Sequence, residues 1–254
     1  VIVNAEGGSG TIGTTEYLTN YAADGYTILY SLATPVVYKP LSGDTAYTYD
    51  DLTSVARTSS QPMYLIVPDS ETRSAQEILD YIKENPGKFT YANVGNGGNG
   101  HLAFASFLVG EGLDAVSVPY SGGTADCYTA MMGGEVNAAV YGEADLLARE
   151  DNHAVINLGS KSTVESLKDV PTLADLGYEG YETNNMAGFF YNKDVPAEAV
   201  TAFENAVEAV LTDPEFVAEA TTAGFVPSFG TGADMDKQAE AAIEKAVPVL
   251  ESLG

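Results

Sequence analysis

The chain has 254 residues, 45% of them hydrophobic, which is the composition of a folded protein with one large domain or two small ones and excludes disorder. Its 36 Asp and Glu against 11 Lys and Arg give a formal net charge of −25, so nucleic acid and anionic membrane are excluded as partners, both being bound through clustered basic residues. Cys127 is the only cysteine and His101 and His153 are the only histidines, which excludes an internal disulfide and leaves no metal site or other cofactor to expect. From the N-terminus, "VIVN" (1–4) predicts a strand, and the glycines of "EGGSGTIG" (6–13) turn the chain into a helix. "YTILYS" (26–31) and "MYLIVP" (63–68) are apolar runs of buried-strand type, separated by a Pro- and Tyr-rich connection. Ser74 and Glu77 form a capping box that opens a helix, and "NPGK" ends it.

Strands and helices then alternate: "KFTYANV", "GHLAFASFLVGEG", "AVSVPY", "TADCYTAMMGG", "EVNAAVY", "EADLLARE" and "HAVINLG". "GFFYNKDVP" (188–196) leads into a long helix, and Asp213 with Pro214 caps a second one in the N-cap and N1 pattern. "GFVPSFGTG" (224–232) reads as a strand and turn, followed by a closing helix that is kinked or ended near Pro248. This alternation predicts an α/β fold with a largely parallel sheet. No run is apolar enough to cross a bilayer, and no signal-peptide pattern is legible; the opening residues read as the middle of a domain.

Gly95, Gly97 and Gly100 spell G-x-G-x-x-G between a strand and a helix. A dinucleotide site also needs an acid at the end of the following strand, but "AVSV" ends in Pro119-Tyr120-Ser121-Gly122-Gly123. A P-loop needs Lys and Ser or Thr after the last glycine, where this chain has His101-Leu102. What remains is a turn whose backbone N–H groups and helix dipole suit an anion such as a carboxylate, or a turn whose glycines serve positive φ alone. A second turn of the same kind, "VPYSGGTAD" (118–126), follows one βα unit later, and in a parallel sheet both lie at the carboxyl edge where open α/β folds bind ligands.

The segments "NAEGGSGTIGT", "ADGYTIL", "YDDLTSVA", "NPGKFTYANVGNGGNGHLA", "VPYSGG", "MMGGEVNA", "VPTLADLGYEGYE" and "LTDPEF" run in order along the whole chain. In that order and spacing the sequence resembles the extracytoplasmic substrate-binding proteins of tripartite tricarboxylate transporters. The resemblance implies a two-lobe Venus flytrap fold, type II-like, with mixed and mainly parallel sheets, that closes on a small organic carboxylate and delivers it to membrane permease subunits. It implies a first lobe of 1–68 plus 188–254, a second of 69–187, crossings at "MYLIVP" and "GFFYN", a monomer, and a location outside the cytoplasm, free in a periplasm or lipid-anchored. Relative to the family the sequence lacks a strand, a glycine-rich loop and a helix ahead of its first residue, so the expectation is an N-terminally incomplete first lobe.

On this reading the ligand-binding candidates are Ser31, Ala33 and Thr34 in the first lobe, and Asn96, Gly97, Gly98, Asn99, His101, Tyr120, Ser121, Gly122 and Tyr141 in the second, with Glu143 bordering the same edge. His101 offers a donor to a carboxylate or else caps and packs its helix. None of the basic residues falls in these loops, so N–H dipoles must neutralise the anion. Two other functions stay open: a ligand-sensing subunit for a membrane receptor, and an enzyme using the same edge. Against the enzyme, the sequence shows no Ser-His-acid or Cys-His set and no phosphate lysine.

Overall fold

The computed structural model describes every residue except Glu6, Asp44, Gly224 and Gly254, and only the backbone of Leu253. Glu6 and Gly224, which open the stretches expected at 6–13 and 224–232, therefore lie outside the described residues. In chain order the elements are α1 (Thr11–Asn20), β1 (Leu29–Leu32), a π-helical turn (Thr34–Tyr38) running into α2 (Lys39–Leu41), β2 (Leu52–Pro68), α3 (Ala75–Glu84), β3 (Thr90–Asn93) and α4 (Asn99–Gly110). There follow β4 (Val116–Pro119), α5 (Thr124–Met132), β5 (Ala138–Gly142), α6 (Glu143–Leu147), β6 (Asn152–Asn157), β7 (Asn184–Asn192), α7 (Ala197–Leu211), α8 (Pro214–Thr222), β8 (Gly230–Thr231) and α9 (Gly232–Leu253).

The local signals act as their chemistry dictates. Ser74 Oγ accepts the Glu77 N–H while the Glu77 carboxylate accepts the Ser74 N–H at 2.8 Å, so the capping box starts α3. Asp213 accepts from the N–H groups of Glu215 and Phe216 ahead of Pro214 at the start of α8. Two expectations are corrected. Residues 1–4 form no strand: Val1, Ile2 and Val3 are irregular and exposed, because β-branched composition makes a strand only where a neighbour supplies its hydrogen bonds, and none among the described residues does. The chain turns helical from Thr34, with Pro35 near the helix start, where no N–H is needed. Helix α9 passes through Pro248 to Leu253 without ending there.

The chain divides into two compact units, Val1–Ser60 with Asn185–Val247 and Gln61–Asn184 with Pro248–Gly254. The divisions fall inside β2, at the start of β7 and inside α9. The expected lobe boundaries lay at 68/69 and 187/188; β2 is one continuous 17-residue strand, so no break in composition marks the crossing.

In the first unit, β7 lies between β1 and β2, and β8 pairs antiparallel with Ala56 and Arg57 of β2. Val55, Ala56, Tyr191, Val207 and Leu211 form its core against α7. In the second unit the order is β4-β3-β5-β2-β6: β4, β3 and β5 are mutually parallel, and β2 runs antiparallel to β5 and β6. Alternation along β2 splits the core in two. Met63, Leu65 and Val67 pack with Ile78, Tyr91, Phe104 and Phe107 beneath α3 and α4, while Tyr64 and Ile66 pack with Ala92, Cys127, Met131 and Tyr141 beneath α5. Helix α4 is apolar all round, with Leu102 to Leu108 buried, because it packs on the sheet and is also covered by Tyr178 and Tyr181, whose rings meet Phe107.

Candidate functional site

The parallel register sets Asn93 opposite Pro119, so the turns after β3 and β4 leave the sheet side by side in the second unit. Asn93 joins them. Its Oδ1 accepts the Gly95 N–H at 2.9 Å, its Nδ2 donates to Ser117 Oγ at 2.7 Å, and its carbonyl accepts the Tyr120 N–H at 2.8 Å. The Ser117 hydroxyl in turn reaches Asn96 Oδ1 at 3.4 Å. The three motif glycines do different work: Gly95 and Gly97 hold φ of +110° and +71°, which L side chains rarely adopt. A Cβ on Gly100 would instead stand 3.1 Å from the Val140 carbonyl, so Gly100 lets α4 lie against β5.

Gly98 is the N-cap of α4, and no side chain caps the helix or places an acid in its first turn. Gly97, Asn99 and His101 are buried while Asn96 is exposed. His101 sits at the third helical position with its Nδ1 accepting the Gly97 N–H at 3.2 Å, and burial pushes its pKa down to about 4. The imidazole is therefore neutral at pH 7, with its proton on Nε2, and it braces the turn from within. The N-terminal N–H groups of α4, which an α-helix cannot satisfy itself, meet no acid of their own helix.

The second turn differs. Gly123, with φ +82°, is the N-cap of α5, again without a side-chain cap. Ser121 and Gly122 lie toward the surface, and the Tyr120 hydroxyl is turned to Glu135 Oε2 at 3.4 Å. The carboxylate of Asp126 lies against Gly122, where a Cβ would collide with it. Behind the turn, Arg149 donates to Thr124 Oγ1 at 2.9 Å and pairs with Asp145 at 3.0 Å, its guanidinium packed over the rings of Tyr141 and Tyr128. Arg149 lies outside the candidate loops in the sequence. Its 25-residue reach to Thr124 has no local signature.

Tyr141 is buried in β5 with its hydroxyl on Asn152 Oδ1 at 2.7 Å, so it supports this cluster from the α5 side. Glu143, 4% exposed at the start of α6, accepts from Tyr64 Oη at 2.8 Å and from the Ser162 hydroxyl. Both side chains are thus engaged inside the second unit. Cys127 is buried in the same layer, its thiol pushed up to about 11 by burial first and Asp126 second.

In the first unit Ser31 and Ala33 are buried and Thr34 half-buried where β1 passes into the π-helical turn; Ser31 Oγ donates to the Leu32 carbonyl. The glycine turn before α1 reaches this junction. Gly10, at φ +90°, packs so closely on Pro35 that a Cβ would stand 2.9 Å from its ring. The first unit also holds an apolar cavity of about 420 Å³ lined by Tyr30, Phe189, Phe203, Val207, Leu211 and Phe225. Tyr30 Oη and Thr58 Oγ1 bond each other at 3.1 Å, so this lining offers a carboxylate nothing.

The family model described as the tripartite tricarboxylate transporter family receptor, TctC, matches residues 1–254. The chain belongs to that family. A UPF0065 protein of Bordetella pertussis is 24% identical over 262 residues, covering 100% of this chain and 80% of that protein. A TctC solute binding protein from Polaromonas, solved without ligand, superposes with a TM-score of 0.81 at 21% identity, over 99% of this chain and 86% of that one. Rpa4515 of R. palustris, solved with adipate, gives a TM-score of 0.79 at 26% identity, again over 99% and 86%. The mixed α/β periplasmic-binding-protein fold expected from the sequence is the fold of these structures. Among the described residues no helix is long and apolar enough to cross a membrane, and no group of His, Cys, Asp and Glu is placed to hold a metal ion.

Proposed function

We propose that this receptor-family chain captures a small organic carboxylate outside the cytoplasm and passes it unaltered to the permease of a tripartite tricarboxylate-type transporter. The observation that carries the reading is the start of α4 behind Gly97 and Gly98, a turn without a side-chain cap that presents backbone donors and a helix dipole with no acid in its first turn. Asn96, Gly97, Gly98 and Asn99 are its principal binding residues and Ser121 a neighbouring hydroxyl. Ser31, Ala33 and Thr34 form a second candidate set, borne by the first unit. Rpa4515, solved with adipate, supports a carboxylate as the ligand class.

Charge-assisted bonds from N–H groups contribute about 1.5–3 kcal/mol each, so a few of them overcome the repulsion of an acidic surface at short range. Thermal unfolding in the presence of a library of organic acids tests the reading. A ligand at about 100 times its Kd adds about 2.7 kcal/mol of stability, and mono-, di- or tricarboxylates are expected to give it with no turnover of the acid. Stabilisation by nucleotides or cations alone would refute the assignment.

A further inference from the structure

The chain contains two Asn-Gly pairs, Asn96-Gly97 and Asn99-Gly100, both in one turn. In such a pair the backbone nitrogen of the glycine can attack the side-chain amide before it, because no Cβ hinders the approach. The structure treats the two pairs differently. Asn99 is 5% exposed in the first turn of α4, where the Cα–Cβ bond tilts toward the helix N-terminus and away from the amide that follows. Asn96 is exposed and lies in the turn before the helix. The two groups that would react there each meet a suitable partner. The Gly97 N–H points at His101 Nδ1, 3.2 Å away, and the Ser117 hydroxyl, itself held by Asn93 Nδ2 at 2.7 Å, is turned to Asn96 Oδ1 at 3.4 Å.

We infer that Asn96-Gly97 is a self-modification site, at which the Gly97 nitrogen attacks Asn96 Cγ while His101 Nδ1 takes its proton. An Nδ1 that accepts an N–H carries no proton of its own, so it is in the form a base requires. The new N–Cγ bond closes a five-membered succinimide, and the Cγ–Nδ2 bond breaks with its electron pair on Nδ2. Nδ2 leaves as ammonia, completed by the proton that His101 took. The Ser117 hydroxyl faces the oxygen on which charge gathers during the attack. Water then opens the ring at either carbonyl and leaves aspartate or isoaspartate at position 96; nothing is oxidised or reduced. A neutral amide thus becomes a carboxylate beside Gly98 and Asn99, which repels an anionic ligand and retires the turn with age. That consequence rests on the carboxylate-binding reading above, whereas the covalent step does not.

The experiment incubates the full chain at physiological temperature and neutral pH, folded and unfolded in guanidinium chloride, and follows both asparagines by peptide mass mapping that separates aspartate from isoaspartate. In the unfolded chain the two pairs are expected to convert within about threefold of each other; in the folded chain Asn96 converts about tenfold or more faster than Asn99 and no slower than when unfolded. His101→Asn, which keeps an acceptor for the Gly97 N–H but supplies no base, is expected to slow Asn96 by about tenfold or more, and His101→Gln is the second such variant, with circular dichroism checking the fold of each. Folded Asn96 as slow as Asn99, or conversion unchanged or faster in the histidine variants, would overturn the site. Asn96→Asp carries the charge of the product and is expected to weaken, by about tenfold or more, the binding of an acid that stabilises the wild type. Equal affinity would overturn the consequence for binding alone. The mass measurement needs no ligand, so a failure of the carboxylate reading shows separately.

Discussion

The Nδ1 of His101 accepts the backbone N–H of Gly97 at 3.2 Å, so a neutral imidazole holds the turn at which the ligand is proposed to bind. Its folded pKa lies at about 4, below the unfolded value of about 6.5. As pH falls through about 6.5 the unfolded chain takes up a proton that the native chain refuses, so this group's contribution is full above that pH and lost progressively toward about pH 4. The loss is about 2 kcal/mol by about pH 5. Urea unfolding at neutral pH and at about pH 5 measures it, and His101→Asn, which keeps an acceptor but does not titrate, is expected to remove most of the difference. Glu71, held down to about 2 by Arg73, titrates in a lower window and leaves this interval clear.

Gly100→Ala is expected to destabilise the second unit by about 1–2 kcal/mol, although alanine in a helix ordinarily gains about 1 kcal/mol over glycine. The reason is contact, since the new methyl would stand 3.1 Å from the Val140 carbonyl and 3.4 Å from Met63 Cε and push α4 off β5. Chemical denaturation reads the sign directly.

Glu143 and Tyr64 are expected to be coupled by about 1.5–3 kcal/mol in a double-mutant cycle of Glu143→Ala and Tyr64→Phe. Glu143 is buried and accepts from two hydroxyls, so the single Glu143→Ala variant leaves Tyr64 Oη, and the hydroxyl of Ser162, without their carboxylate. Additive single effects, measured by urea unfolding, would show that the pair contributes nothing specific.

The signals legible in the sequence are those confined to a few consecutive residues. Ser74 and Glu77 announce α3, Asp213 and Pro214 announce α8, and the glycines of 95–100 mark a βα turn because local geometry demands them. What escaped depends on neighbours far along the chain. Val1–Val3 have the composition of a strand, yet pairing decides whether one forms. β2 reads as an apolar run only from Met63, since its first half carries Thr, Ser and Arg and becomes a strand by pairing with β8. At the site the two turns are visible, and Asp126 over Gly122 is a contact only four residues apart, whereas Arg149 on Thr124 arises only once the chain after α6 comes back against the start of α5. Tyr141 and Glu143 end their strand at the expected edge, yet their partners Asn152, Tyr64 and Ser162 come from other elements and draw both side chains inward.

The central claim is that backbone N–H groups at the start of α4 hold the ligand's carboxylate. Amide resonances of the isotope-labelled full chain, followed while a stabilising acid is titrated in, test it most directly. The amides of Asn99 and Gly100, which open α4, are expected to show the largest and saturable shifts in the second unit, and a folded Gly97→Val variant to lose them together with affinity. Saturable binding that leaves these two amides unmoved, or unchanged affinity in Gly97→Val, would contradict it.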